Sequence, residues 1–176
     1  MTNEFDNWRN KYDTMTIDEQ VEYHNKLEEL YPDQAHYNYE NVKEVLNLGK
    51  KNPDVLEFGT WKADLCETVL SQYEINSWVG IEICKSAIEK TKCKSPKFKY
   101  IFPDKFDWFK DDNRPKCDIV IGTHFIEHLS NEHFVELAKY CKGVEYIYFE
   151  APLSENGENW NGYLGTHKLN YGWNQV

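Results

Sequence analysis

In this chain, carboxylates and imidazoles recur where short apolar runs end. Val55-Leu56-Glu57-Phe58-Gly59 leads into Thr60-Trp61-Lys62-Ala63-Asp64, a turn with glycine where the backbone must bend tightly against a ligand. Trp78-Val79-Gly80-Ile81 runs into Glu82, 25 positions beyond Glu57. A parallel sheet places an acid at this point, where it can accept both hydroxyls of a ribose. Phe102-Pro103-Asp104 adds a third acid, and Cys117 to Ile121 leads into Gly122-Thr123-His124-Phe125-Ile126-Glu127-His128-Leu129.

His124 and His128, four residues apart, would share one face of a helix, and with Glu127 or His167 they would suggest a metal site. The H-E-x-x-H order is missing, so no metal is expected. An imidazole directly after a strand suits a general base, because its ordinary pKa lies near neutrality. His124 is the first choice for that role, Glu127 and His128 follow, and His128 serves equally well as a structural hydrogen-bond partner.

The elements that must position these groups follow from periodicity. Thr16-Ile17-Asp18-Glu19 is a capping box ahead of Val21, Leu27 and Leu30, which predicts a helix ending near Leu30 before Tyr31-Pro32. A second helix from about Tyr39 places Val42, Val45 and Leu46 on one face and ends at Gly49, a natural C′ residue. The aromatics around it, Tyr31, His36, Tyr37 and Tyr39, read as core packing, with a lid as the competing idea.

From Asp54 short apolar runs alternate with helix-length segments. Strands are predicted at Val55–Gly59, Trp78–Ile83, Phe98–Phe102, Cys117–Ile121 and Glu145–Phe149. Helices are predicted at Asp64–Tyr73, Lys85–Thr91 and Asn131–Tyr140, the last with Phe134, Leu137, Ala138 and Cys141 on one face. Such alternation implies a parallel sheet with right-handed crossovers. Ligands then bind beyond the carboxyl ends of the strands, where the strand order reverses.

These segments resemble the class I methyltransferases that use S-adenosylmethionine (SAM). Val55 to Ala63 resembles the family's E-x-G-x-G-x-G motif, Val79 to Ile88 its acidic second motif, and Cys117 to Leu129 its fourth-strand motif ending in E-H-L. The resemblance spans roughly Asp54 to Pro152 and implies a Rossmann-like three-layer α/β sandwich with strand order 3-2-1-4-5. It implies that Glu57, Gly59, Thr60, Trp61 and Ala63 surround the methionine part of SAM, and that Glu82 and Ile83 hold the ribose side. It also places Asp104 and Lys105 near the adenine, and Thr123 to His128 facing the sulfonium and the acceptor.

Two features depart from the family. Trp61 and Ala63 replace its second and third glycines, so Trp61 either points out of the site or forms one of its walls. The family adds two strands after the fifth, whereas here residues 154–176 are a glycine- and aromatic-rich stretch read as an ordered loop over the site. The sheet is then minimal, truncated, or completed by another subunit in a homo-oligomer. The chain is read as one domain: a helical preface (1–52), an α/β core (53–153) and that loop (154–176).

The activity implied is methyl transfer from SAM to an unidentified acceptor. SAM cleavage without an acceptor and a non-catalytic SAM-binding module are the alternatives. A nicotinamide dehydrogenase is disfavoured because Glu57 to Asp64 lacks G-x-G-x-x-G.

A net charge of −10 repels phosphate backbones, so a small-molecule acceptor is preferred over nucleic acid. The one basic cluster, Lys85 to Lys99, reads as a solvated face. No apolar run approaches a membrane span and the first residues are polar, which predicts a cytoplasmic protein. Five widely spaced cysteines read as buried free thiols.

Overall fold

The computed structural model describes residues 15–30, 32, 39–102, 115–126, 129 and 131–150. Helix α1 (Ile17–Leu30) begins as the capping box dictates. Thr16 N–H donates to Glu19 Oε2 at 2.7 Å and Glu19 N–H donates to Thr16 Oγ1 at 3.3 Å, so each satisfies a donor that the helix start would orphan. Val21 and Leu27 are buried as expected; Leu30 is exposed, and Tyr23 and the charged Glu28 are buried on this helix as well.

Helix α2 (Tyr39–Leu48) buries Val42 and Leu46. Gly49 follows it without the left-handed φ expected of a C′ glycine. Its requirement is space, because a Cβ there would meet Ile119 Cδ1 at 3.1 Å.

Five strands form one parallel sheet: β1 (Asp54–Phe58), β2 (Ser77–Ile81), β3 (Phe98–Ile101), β4 (Ile119–Thr123) and β5 (Tyr146–Glu150). Their order is β3-β2-β1-β4-β5. Strands β1, β2 and β4 are buried on both faces, which explains their near-continuous apolar sequences. Helices α3 (Asp64–Leu70), α4 (Lys85–Glu89) and α5 (Asn131–Tyr140) occupy the connections.

One face of the sheet packs Val55, Trp78, Ile119 and Ile121 against α2 and α3. The other packs Leu56, Phe58, Val79 and Val120 against α5. This is the three-layer sandwich expected. On α5 Leu137 and Tyr140 are buried, with Cys141 just past its end, whereas Ala138 is exposed.

Strand ends differ from the sequence pattern by up to two residues, most at β4. Asp118 does not extend the strand; its carboxylate accepts Asp54 N–H at 2.7 Å and pairs with Lys50, and its carbonyl accepts Tyr146 N–H. The ladder therefore starts at Ile119 and carries Gly122 and Thr123 into register with Phe149 and Glu150. All five cysteines are free thiols, four of them buried. No helix among the described residues is long and apolar enough to cross a membrane.

Candidate functional site

Strand order reverses at β1, which has β2 on one side and β4 on the other. The crevice at such a switch point receives the turn after β1. There Gly59, Trp61 and Ala63 all hold left-handed φ, at 70°, 51° and 60°. These are the three positions of the family's glycines. The backbone thus keeps the shape that glycine favours, although two of the three residues carry a Cβ and strain to adopt it.

Hydrogen bonds fasten this turn to β2. Gly59 N–H donates to Ile81 C=O at 2.9 Å, Ala63 N–H to Thr60 C=O at 2.9 Å, and Thr60 Oγ1 to Glu57 C=O at 3.1 Å. Thr60 packs directly on Gly80 of β2, where a Cβ would meet Thr60 Oγ1 at 2.5 Å. Trp61 is half-buried, and its indole Nε1 is shielded from solvent with no acceptor among the described residues. Its ring edge is therefore not turned out into water.

Glu82, just past β2, is the centre of this half of the site. Its Oε2 accepts Trp61 N–H at 2.7 Å, and its Oε1 accepts Ile83 N–H and Cys84 N–H, each at 2.8 Å. Burial pushes its carboxyl above the ordinary range, against the pull of those three backbone donors. A carboxylate offers about four lone-pair sites. With three filled, one remains on Oε2. Ile83 beside it is half-buried.

Glu57 lies beneath the turn. Only 2% exposed, it accepts Trp78 Nε1–H at 2.9 Å, and burial pushes its pKa up to about 8, with the Glu82 charge adding to the rise. Its carboxyl faces the sheet interior, so it supports the turn and does not line an open surface.

A third carboxylate reaches the turn from the preface. Glu28 on α1 is fully buried, 2.7 Å from Lys62 Nζ and paired also with Lys90. Lys62 Nζ donates to Pro32 C=O as well. Burial alone would raise the Glu28 carboxyl, but the hydrogen bonds and charges of Lys62 and Lys90 outweigh it and hold it below the ordinary value. Beside this cluster, Asn25 Oδ1 accepts Ser86 N–H of α4 at 3.1 Å.

Across β1, the ends of β4 and β5 bring up side chains. His124 has a left-handed φ of 51°, and its N–H donates to Glu150 C=O at 2.7 Å. A non-glycine residue in that region is held there by its surroundings, as happens often at functional sites. His124 Nε2 stands 3.9 Å from Glu150 Oε1, and Glu150 Oε2 accepts Tyr148 O–H at 2.5 Å. Thr123 is buried at the strand end, and Phe125 stacks on Phe58, with ring centroids 5.3 Å apart, closing the floor next to Gly59.

The residues predicted from sequence thus gather along one sheet edge. Glu57, Gly59, Thr60, Trp61, Ala63, Glu82 and Ile83 lie on the β1–β2 side, and Thr123 and His124 lie on the β4 side. Asp104, Lys105, Glu127 and His128 fall outside the described residues, as do Tyr31, His36, Tyr37 and residues 154–176.

Sequence reasoning missed Glu28, Lys62, Tyr148 and Glu150. Glu150 carried a readable signal, since it is an acid at the end of an apolar run, as Glu82 is. The basic cluster proves largely engaged: Lys90 with Glu28, Lys92 with Asp64, and Lys97 with the Ile75 carbonyl.

No family model matches the chain, and no curated protein is similar to it in sequence. Solved structures are similar in fold. The methyltransferase domain of bacterial CtHen1 superposes with a TM-score of 0.58 at 17% identity, covering 78% of this chain and 77% of that one. DhpI in its SAH complex gives 0.58 at 15% identity, covering 80% and 71%. A SAM-dependent methyltransferase from Archaeoglobus fulgidus gives 0.55 at 22% identity, covering 77% and 62%. The chain has the Rossmann-like α/β fold of these methyltransferases.

Proposed function

We propose that this protein is a SAM-dependent methyltransferase acting on a small-molecule acceptor. The observation that carries the reading is the turn after β1, with three left-handed residues at the glycine positions of the motif and its Trp61 N–H bonded to Glu82. Similarity to solved structures such as DhpI, whose complex contains SAH, supports the choice of ligand.

The residues present fit that ligand. Glu82 keeps one acceptor site, enough for one ribose hydroxyl without breaking its backbone bonds. The shielded Trp61 Nε1 is a donor in want of an acceptor, which a carboxylate at this turn would supply. Gly59 gives the turn its left-handed start, and Ile83 offers apolar contact beside Glu82.

When bound, SAM supplies a methyl carbon on a sulfonium whose sulfur departs with the bond's electron pair. The protein's part is to align the acceptor and exclude water. His124 takes the proton that a hydroxyl or amine acceptor sheds as its new bond forms. Glu150 stabilises the resulting imidazolium across 3.9 Å, and the Tyr148 hydroxyl keeps the Glu150 carboxylate in place. In this reading Asp104 and Lys105 serve the adenine side, and Glu127 and His128 are the second choices for the base. The strong negative net charge supports a small acceptor over a nucleic acid.

Isothermal titration with SAM and with its demethylated product tests the reading without knowledge of the acceptor. Micromolar binding that Glu82→Ala abolishes is the expected result. Absence of binding to the wild-type protein overturns it.

A further inference from the structure

The turn after β1 poses a physical problem that its own sequence does not solve. A left-handed backbone is disfavoured for a residue with a Cβ, and strained residues persist only where their surroundings over-determine them. Trp61 and Ala63 are both such residues. Ala63 also opens α3 with no side-chain cap. Something outside the turn must therefore hold it.

The contacts converge on the residue between the two. Lys62 is 6% exposed, and its Nζ is tied to Glu28 and to the Pro32 carbonyl, both contributed by the preface. Lys62 C=O accepts Lys92 N–H at 3.0 Å and Thr91 Oγ1–H at 3.2 Å. Glu28 in turn gathers Lys90 from the C-terminal end of α4. One buried carboxylate on α1 thus joins the turn to the segment after β2.

A buried ion pair is a poor device for stability alone, since apolar residues of similar volume often do as well. It is a good device for fixing geometry, because an ammonium on a buried carboxylate has few other places to go. We propose that Glu28, acting through Lys62, is a positioning residue for the ligand turn: the buried Lys62–Glu28 pair, with Lys90 joining it from the surface, holds the left-handed backbone that glycine holds in the motif, and makes helix α1 part of the binding site. The inference rests on the SAM reading for its ligand, but its geometry is independent of it.

The test is a rescue. In Glu28→Gln/Lys62→Met both charges are replaced by groups of similar size, so the core stays filled. SAM affinity should fall tenfold or more by titration calorimetry. Adding Ala63→Gly should recover most of it, because glycine holds the left-handed φ unaided. A double variant that binds SAM as the wild type does, or a triple variant no better than the double, overturns the proposal.

Native-state hydrogen exchange provides a readout that needs no ligand. In the double variant the amides of Trp61 and Ala63 should exchange at least tenfold faster, while the Val120 amide in β4 is unchanged. Equal protection of Trp61 and Ala63 in variant and wild type overturns the clamp whether or not SAM binds. Failure of the wild-type protein to bind SAM sinks the methyltransferase reading and leaves the exchange result to decide the clamp. Should the double variant fail to fold, Glu28→Gln alone keeps one acceptor oxygen and turns an amide N–H2 toward the other lysine, and its affinity loss must then lie between wild type and a tenfold change. No loss in that variant refutes the role.

Discussion

The two halves of the site are built in opposite ways. On the β1–β2 side, the working groups are backbone amides and buried carboxylates, with Glu82 accepting from three N–H groups and Glu28 and Glu57 sealed from solvent. On the β4–β5 side, they are side chains standing partly in water, with His124 33% exposed and Glu150 26%. The first half has the build of a mould for an invariant ligand, since each group depends on several others. The second can change residues with less disturbance to the fold, as would suit the acceptor side of the proposed methyltransferase.

That contrast makes its sharpest prediction at Glu82. Glu82→Ala strips the acceptor from three backbone donors in a buried setting, at about 1–3 kcal/mol for each donor left unmade. Urea denaturation should show a loss of about 3 kcal/mol or more, together with loss of SAM binding. A variant that keeps its stability would mean that the three N–H groups find water, and that this half is no mould.

His124→Ala should do the reverse. Removing a general base lowers turnover about 100-fold or more, while truncating a side chain that is 33% exposed shifts stability by about 1 kcal/mol. SAM affinity should stay within threefold of wild type. Turnover retained in this variant, once an acceptor is found, would remove His124 from the mechanism.

The difference between the halves also explains what could be read from the sequence. Groups placed by local pattern were legible: the Thr16–Glu19 box, the alternation of strands and helices, and the acid after β2. The ends of β4 were not, because Asp118 is taken by partners on β1 and β5 that no local window contains. The same holds for Lys62 and Glu28, 34 positions apart and buried. A lysine next to a cofactor motif reads as a surface charge until the fold brings a carboxylate to it. The left-handed φ of Trp61 and Ala63 went unread for a different reason: their side chains argue against it, and only the surrounding bonds impose it.

Two glycines extend the comparison at smaller cost. A Cβ at Gly80 would lie 2.5–2.9 Å from Thr60 Oγ1, Cγ2 and Cβ, atoms close to the backbone of the turn. At Gly122 it would lie 2.8 and 3.0 Å from Phe149 Cδ1 and Cε1, the flank of a ring that is only half-buried. Overpacking costs about 1–3 kcal/mol where the neighbour cannot move. Gly80→Ala should therefore fall in that range and weaken SAM binding, whereas Gly122→Ala should cost less and leave binding intact. Thermal melts and titrations of the two variants check the order. Equal penalties would show that Thr60 yields as readily as Phe149.

The effect most specific in form, a change in how stability varies with pH, belongs to Glu57. Its carboxyl has a folded-state pKa of about 8 against an ordinary 4.5. The folded chain therefore holds a proton that the unfolded chain releases, and the stabilising contribution is complete below the ordinary value and lost as pH rises towards 8. Glu82, shifted in the same direction by burial, adds to the slope. Glu57→Gln keeps an oxygen for the Trp78 indole N–H and cannot ionise. Its stability should match the wild type at about pH 5 and exceed it increasingly towards about pH 9, where the wild-type carboxylate must be buried charged. Parallel stability profiles would mean that Glu57 is ionised in the fold with its charge compensated. The β1–β2 side would then resemble the β4–β5 side in tolerating charge.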